Sequence, residues 1–459
     1  MNPLPLHDTV IALGTPWGVS GLGVIRLSGR DAVGIARKIF RNPGGRKIAA
    51  RGWQMIYGFI EAEGEILDET LLLVMPAPHS YTREDVVEIQ AHGGPVVLKR
   101  ILKLCLSLGA RLADPGEFTR RAVLNGRIDL IQAEAAADLI HAQSEEAARL
   151  AVMRIRGDLS AELKRLREGI LELAAQLEAQ IDFPEEDIRR SSWKNITKRV
   201  RVLKEGIESL LAGFERSRLY AEGVSCVIVG RPNAGKSSLL NALLGEERAI
   251  VTEIPGTTRD VVEGRIVLEG MPFLFSDTAG LRKKIPGKIE RLGIRKTLEK
   301  MKESDLILFV VDGNAGVSED DRRMMEELFG RKWLLVVNKR DLGQKRLPCD
   351  IGKMSLGMYS LSCKSRQGLE ALIDGMAALY REQGIPAAGI AVTSLWQKER
   401  LEKTLSYLGS VMEAVRKRVS AEFFLPDLRE ALKELGVLTG EEAGEELYDM
   451  IFSRFCVGK

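Results

Sequence analysis

One octet constrains this chain more than any other stretch: Gly230-Arg231-Pro232-Asn233-Ala234-Gly235-Lys236-Ser237, set directly after the apolar run at 227–229. Its glycines let the backbone curl. A strand before it and a helix after it aim successive N–H groups at one point, where negative charge is welcome. The pattern is that of a phosphate-cradling loop. Lys236 is placed to reach terminal phosphates, and the Ser237 hydroxyl to sit on Mg2+. Asn233, Ala234, Gly235 and Ser238 complete the expected phosphate contacts. Such a loop belongs to a doubly wound α/β domain. Strand-like runs at 261–268, 272–275, 306–311 and 333–337, with helix-like segments between several of them, fit one spanning residues 221–380.

Further motifs lie where such a domain needs them. Asp277-Thr278-Ala279-Gly280 follows the run at 273–275; Asp277 suits Mg2+ through water, and the Gly280 N–H suits a γ-phosphate. Asn338-Lys339-Arg340-Asp341 follows the run at 333–337. A carboxylate there matches the paired donors on the N1–H and 2-amino edge of guanine. With adenine, a buried Asp341 is left unpaired. Asn338 bridges loops, the Lys339 stem covers a base face, and Ser362-Cys363-Lys364 forms a second base-contacting loop. The polar stretch at 252–260 sits where a mobile switch belongs, with Thr258, or its neighbour Thr257, offering a hydroxyl to Mg2+. The substrate implied is GTP. Many small GTPases place Gln after the Asp-x-x-Gly turn to orient water; Leu281 stands there and cannot. Glu290 follows in a basic loop that fits equally an exposed, solvated face.

The chain has 459 residues, more than one core usually sustains. Residues 1–118 carry short apolar runs at 9–13, 23–27, 55–60 and 70–75 with a helical pattern at 96–108, which reads as a compact α/β part. From 117 to 180, and again after Pro386, helix formers dominate. Leu159, Leu163, Leu166, Ile170, Leu173 and Leu177 share one helical face. Helical character on both sides of the nucleotide domain predicts an insertion whose flanks pack together, since an amphipathic helix cannot hide its stripe alone. The 67 basic and 64 acidic residues leave a formal charge of +3, which neither demands nor excludes a nucleic-acid partner. Five cysteines without a CxxC spacing fit a reducing compartment. No stretch reaches about 18 uncharged apolar residues, so the expected location is the cytoplasm, with no membrane partner.

The motifs are joined by longer strings: IRLSG at 25–29, YTREDVVEIQAHGG at 81–94, DPGEFTRRAVLNGRIDLIQAEAAADLI at 114–140, QIDFPEED at 180–187, IPGTTRD at 254–260 and IFSRFCVGK at 451–459. With these the whole chain resembles the bacterial tRNA uridine-34 modification GTPases of the MnmE (TrmE) family, within the TrmE-Era-EngA-like superfamily. The resemblance implies a multidomain α/β plus all-α fold. Residues 1–118 would bind 5-formyl- or 5,10-methylenetetrahydrofolate and form a homodimer. Residues 119–220 and 381–459 would form a central helical domain, and 221–380 a Ras-like P-loop GTPase domain inserted in it. It also implies an FAD-bearing partner, MnmG (GidA), in a heterotetramer. Together they would place an aminomethyl or carboxymethylaminomethyl group on C5 of the wobble uridine of tRNA.

The resemblance further implies K+ beside the phosphates in place of an arginine finger, held by the Asn233 side chain and the carbonyls of Thr252, Ile254 and Thr257, with two G domains meeting across their switch faces. From the residues alone, Asn233 fits a turn equally well. Glu290 matches the family glutamate that orients the attacking water, although its spacing from Asp277 is about one residue longer than the pattern. Arg26, Tyr81, Arg83, Glu84 and His92 fall on or near folate-associated strings, and Glu84 suits the amide-like edge of a pteridine. Arg83 stands where the family has glycine. Cys456 matches a terminal cysteine facing the modification centre and fits a nucleophile or a small buried hydrophobe. Lys459 suits a tRNA or partner contact. Arg189, Arg190, Lys194, Lys198 and Arg199 offer positive charge to tRNA phosphates, or a solvated helix face.

Two other classes fit the nucleotide motifs: a ribosome-assembly GTPase that binds rRNA, and a nucleotide-regulated scaffold without turnover. Reduced-folate binding by the chain separates the first from wobble modification. Titration with 5-formyltetrahydrofolate is expected to give saturable binding; none at all would favour the ribosomal reading.

Overall fold

The computed structural model describes residues 8–45, 47–49, 52–182, 192–245, 262–276, 300–343, 345, 351–381 and 390–459. The chain falls into two compact units. One comprises Met1–Ala137, Arg154–Lys204 and Arg400–Lys459; the other comprises Asp138–Met153 and Glu205–Glu399.

The first unit carries a seven-stranded sheet in the order β3-β4-β5-β6-β2-β1-β7. The strands are β1 (Val10–Leu13), β2 (Ser20–Ser28), β3 (Phe40–Arg41), β4 (Gln54–Ala62), β5 (Glu65–Met75), β6 (Val86–Gly93) and β7 (Arg111–Leu112). All neighbours are antiparallel except β1 and β7. Alternation decides the faces: Ile25, Leu27, Ile56, Leu72, Val87 and Ile89 point to one side, where the helices Ala32–Ile39 and Pro95–Ser107 close the core. The strands expected at 9–13, 23–27, 55–60 and 70–75 are present; the first is Val10–Leu13 and the other three are longer than expected. The structure adds the central strand β6, whose Val87, Ile89 and Ala91 are buried while Glu88, Gln90 and His92 lie on the other face.

The helix Asp158–Asp182 buries Leu159, Leu163, Leu166, Ile170, Leu173 and Leu177, the stripe expected from periodicity. It packs against Leu425–Thr439, which buries Leu428, Ala431, Leu435 and Leu438. The segments before and after the nucleotide motifs therefore share one helical layer, the arrangement an inserted domain requires. Arg429–Glu178 and Arg167–Glu441 ion pairs border this contact.

Beneath the sheet lies a charged cluster. Glu117 and Arg121 are 1% and 2% exposed and pair with each other. Arg111 binds Glu117 and Asp8; Arg121 also binds Asp8 and Glu84. Burial is the largest influence on Glu117 and opposes its charge, but hydrogen bonds from Arg111, the Asp114 amide and Arg121 outweigh it and lower its pKa. Asp8 is lowered in the same way, burial again opposing the two arginines.

The second unit is a six-stranded sheet in the order β13-β12-β11-β8-β10-β9, parallel except for β9. Its strands are β8 (Val224–Val229), β9 (Val262–Leu268), β10 (Met271–Ser276), β11 (Leu306–Asp312), β12 (Trp333–Asn338) and β13 (Met358–Ser360). It is apolar on both faces, as a parallel sheet covered by helices must be. Leu306, Leu308 and Val310 of β11 enter one core, and Ile307, Phe309 and Val311 the other. Leu150 and Leu219 join the first of these cores. Residues 138–153 and 205–220, which periodicity alone places with the helical layer, thus lie in the same compact unit as this sheet.

Removing one partner of a buried ion network leaves the others uncompensated, so Glu117→Gln is expected to cost about 3–5 kcal/mol at neutral pH in chemical denaturation. A lowered folded pKa contributes stability that is full above the ordinary carboxylate value of 4.5 and lost as pH falls through the lower folded value. The gap between parent and variant should therefore shrink on acidification. A gap that does not change with pH would contradict this account.

Candidate nucleotide-binding site

The loop at 230–237 connects β8 to the helix Lys236–Leu244. Three residues have positive φ: Gly230 at 141°, Asn233 at 63° and Gly235 at 100°. Two of them are glycine for reasons of space as well. A Cβ on Gly230 would lie 2.1 Å from the Val310 carbonyl oxygen on the adjacent β11, and one on Gly235 would lie 2.0 Å from Asn338 Nδ2. The Lys236 ammonium donates to the carbonyl oxygens of Gly230 and Arg231 at 2.9 and 2.8 Å, so its charge lies within the arch. Ser237 and Ser238 are exposed in the first helical turn, where the helix dipole favours anions. The Ser237 hydroxyl there fits a hard cation beside phosphate, and Asn233, exposed in the arch, presents an amide oxygen suited to an alkali ion.

The second half of the site is built around Asn338, 2% exposed at the end of β12. Its Nδ2 donates to the Ala234 carbonyl at 3.1 Å, while its Oδ1 accepts from the Lys339 and Cys363 amides at 2.8 and 3.2 Å. Lys339 has φ 66° and leads into the turn Arg340–Leu342. Asp341 Oδ1 accepts from the buried Ser362 hydroxyl at 2.6 Å. That bond, helped by the charges of Lys364 and Lys339, holds the carboxyl below its ordinary pKa against slight desolvation. The phosphate loop and both base loops border one cleft of about 620 Å³, lined by Gly235, Asn338, Lys339, Asp341, Cys363 and Lys364 among others. A space of that size takes a nucleoside.

One expectation needs correction: Asp341 is exposed, not buried. Ser362 fixes its direction, but its discrimination depends on the base covering it. Asp312 was not anticipated. It ends β11 and binds Lys339 Nζ at 2.7 Å, which draws the lysine stem along the cleft. Burial pushes the Cys363 thiol up to about 11, so its backbone amide, and not its sulfur, serves the site. Thr252, Ile254, Thr257, Thr258, Asp277, Gly280 and Glu290 lie outside the described residues.

In the first unit the residues on folate-associated strings are only partly brought together. Arg26 and Ser28 share one face of β2; Ser28 donates to Glu84 at 2.6 Å, and Arg26 binds Glu88 at 2.7 Å. Glu84 also binds Arg121, yet two carboxylate oxygens offer about four acceptor sites, so capacity for a pteridine edge remains. Arg83, at φ 60°, turns to the Asn125 carbonyl, and His92 is exposed against Asp68. The Asp68 hydrogen bond and charge raise the His92 pKa. Tyr81 binds Thr119 and lies under Arg127. The sequence did not signal that Arg26 donates to the Gly458 carbonyl, 432 positions away. This brings the C-terminal residues to β2: Cys456 is exposed, and desolvation together with the Arg26 charge lowers the Lys459 pKa.

A parallel sheet with one antiparallel edge strand, a phosphate loop after its central strand and an Asn-Lys-x-Asp loop two strands away define the Ras-like P-loop GTPase class. Residues 9–127 match the family model described as GTP-binding protein TrmE N-terminus, and residues 130–456 that of the MnmE helical domain. The chain belongs to the MnmE (TrmE) family. The tRNA modification GTPase MnmE of Acetivibrio thermocellus is 40% identical over 99% of both chains, and that of Carboxydothermus hydrogenoformans is 41% identical over 99% of this chain and 100% of its own. Among solved structures, the G domain of the T. maritima FeoB iron transporter aligns at 27% identity over 34% of this chain and 98% of its own, with a TM-score of 0.26. No described helix is long and apolar enough to cross a membrane.

Asp341→Asn exchanges an acceptor for a donor facing the base. Two charge-assisted bonds at about 1.5–3 kcal/mol each set the expected loss of GDP affinity at roughly 10²- to 10⁴-fold, with xanthosine diphosphate gaining. Competition binding of the two nucleotides measures it; an unaltered preference for guanine would remove Asp341 from the base site.

Proposed function

We propose that the chain hydrolyses GTP and that this hydrolysis serves modification of the wobble uridine of tRNA. The observation that carries the reading is the cleft in which Asn338 ties the phosphate loop to a carboxylate oriented by Ser362. Bound there, the guanine edge is read by Asp341, and the Lys339 stem lies along the base. Lys236 exchanges its two loop carbonyls for β- and γ-phosphate oxygens, and loop N–H groups hold the remaining charge. Ser237, with Thr258 and Asp277, would hold Mg2+, and Asn233, with the carbonyls of Thr252, Ile254 and Thr257, would hold K+. Held there, they would supply positive charge against the transferring phosphoryl group. Gly280 supplies an N–H to the γ-phosphate, and Glu290 orients the attacking water.

The same reading divides the chain into an N-terminal folate-binding part, a helical layer and the GTPase domain. Ser28, two residues from Arg26 on β2, binds Glu84, and Arg26 binds the Gly458 carbonyl between Cys456 and Lys459, which supports a one-carbon site there with Arg83 at its margin. Homodimerisation is supported by the outer face of β4 and β5, where Met55, Tyr57 and Leu71 are 56%, 48% and 38% exposed. The FAD-bearing partner MnmG, tRNA, pairing of G domains across switch faces and a cytoplasmic setting complete the proposal. The two relatives are named tRNA modification GTPases, and the match to the TrmE N-terminus favours this reading over rRNA binding.

GTP turnover by the full chain is expected to be at least tenfold faster in K+ than in Na+, given the ~10³–10⁵ that charge compensation by an arginine can supply. Equal rates would remove the potassium mechanism. In cells lacking the protein, nucleoside analysis should show wobble uridines without the C5 group, and unchanged nucleosides would end the tRNA assignment.

A further inference from the structure

We propose that Arg231 is a positioning residue, holding the phosphate loop in its binding shape through an ion pair with Asp321. This rests on the guanine-nucleotide reading above.

Asp321 sits in the first turn of the helix Glu319–Glu326 and is 1% exposed, while Arg231 is 39% exposed. The carboxylate is fixed by a capping box: its Oδ2 accepts from the Ser318 amide and hydroxyl at 2.9 and 2.8 Å, and Ser318 Oγ accepts from the Asp321 amide. Arg231 Nε reaches the same Oδ2 at 3.1 Å. Among the described residues Oδ1 has no hydrogen-bond partner. A carboxylate so buried, with one oxygen bare, depends on a counter-charge. Ser318 already completes the cap, so capping does not explain the arginine. Nor does the phosphate-loop pattern, which leaves the second position free.

On the loop side, Arg231 is the residue whose carbonyl accepts both Lys236 Nζ at 2.8 Å and the Ala234 amide at 3.4 Å. Pinning its side chain therefore places the carbonyl that sets both the lysine and the turn. The described residues leave a cavity of about 290 Å³ at the arch, lined by Arg231, Pro232, Asn233, Asp312 and Asp321 among others. Among the described residues the arch is held by the Lys236 and Asn338 hydrogen bonds to its carbonyls, the close approach of Gly230 to Val310, the fixed φ of Pro232, and the ion pair.

The test compares the full-length parent with Arg231→Gln, Asp321→Asn and the double variant, reading the thermal midpoint without nucleotide and the dissociation constant for a fluorescent GDP. If the competent loop falls to about a tenth of the population, each single variant binds GDP roughly tenfold more weakly. The double variant should bind no more weakly than either single, because the two residues act as one unit. Its midpoint should recover from that of Arg231→Gln, since no unpaired charge stays buried. GDP affinity in Arg231→Gln within about twofold of the parent would overturn the proposal. So would affinity in the double variant returning to the parent value together with the midpoint, which marks a purely structural pair. Preference of the parent for GDP over ADP is measured alongside; its failure would sink the nucleotide reading itself, separately from this one.

Discussion

Asn338 is the side chain through which the nucleotide site becomes one object. It is buried and uses both ends of its amide, donating to the phosphate loop and accepting from the two loops that face the base. An aspartate would lose the donor and a leucine both functions, and each loss strands a buried backbone group at a cost of about 1–3 kcal/mol. Gly235 must lack a side chain because Asn338 occupies that space. The distance between the phosphate and base ends is thus fixed by one amide and one missing Cβ.

The first unit solves a different problem, gathering its polar groups into one buried ion network. Arg121 links Asp8, Glu84 and Glu117, residues spread over more than a hundred positions, beneath the sheet. Gly458, at φ 101°, lets the C-terminal chain settle against Leu13, where a Cβ would come within 2.4 Å of a carbonyl. Arg26 then donates to the Gly458 carbonyl. Cys456 and Lys459 are placed by this closure together with a local bond from the Lys459 amide to the Cys456 carbonyl.

Much of the fold was legible because its signals are local. The stripe at 159–177 repeats at the helical period, the parallel strands are short unbroken apolar runs, and the phosphate-loop octet has its own glycine spacing, so each names its element from a short stretch. Val86–Gly93 was less visible: it begins with two apolar residues and ends at glycines, so its alternation is short, although Val87, Ile89 and Ala91 carry it. Helix Glu145–Ile155 reads as one more helical segment, and Leu150 entering a core of the six-stranded sheet shows where that part belongs.

The sequence by itself determined the chemistry of the nucleotide site. Glycine spacing, a lysine and an Asn-Lys-x-Asp turn need no distant partner to be recognised, because backbone conformation and hydrogen-bonding pattern are properties of short stretches. Tertiary structure decided which charges meet: Arg231 with Asp321, Lys339 with Asp312, Arg121 with three carboxylates, and Arg26 with Glu88. Ion pairing depends on distance in space and on exclusion of water, and neither is set by separation along the chain.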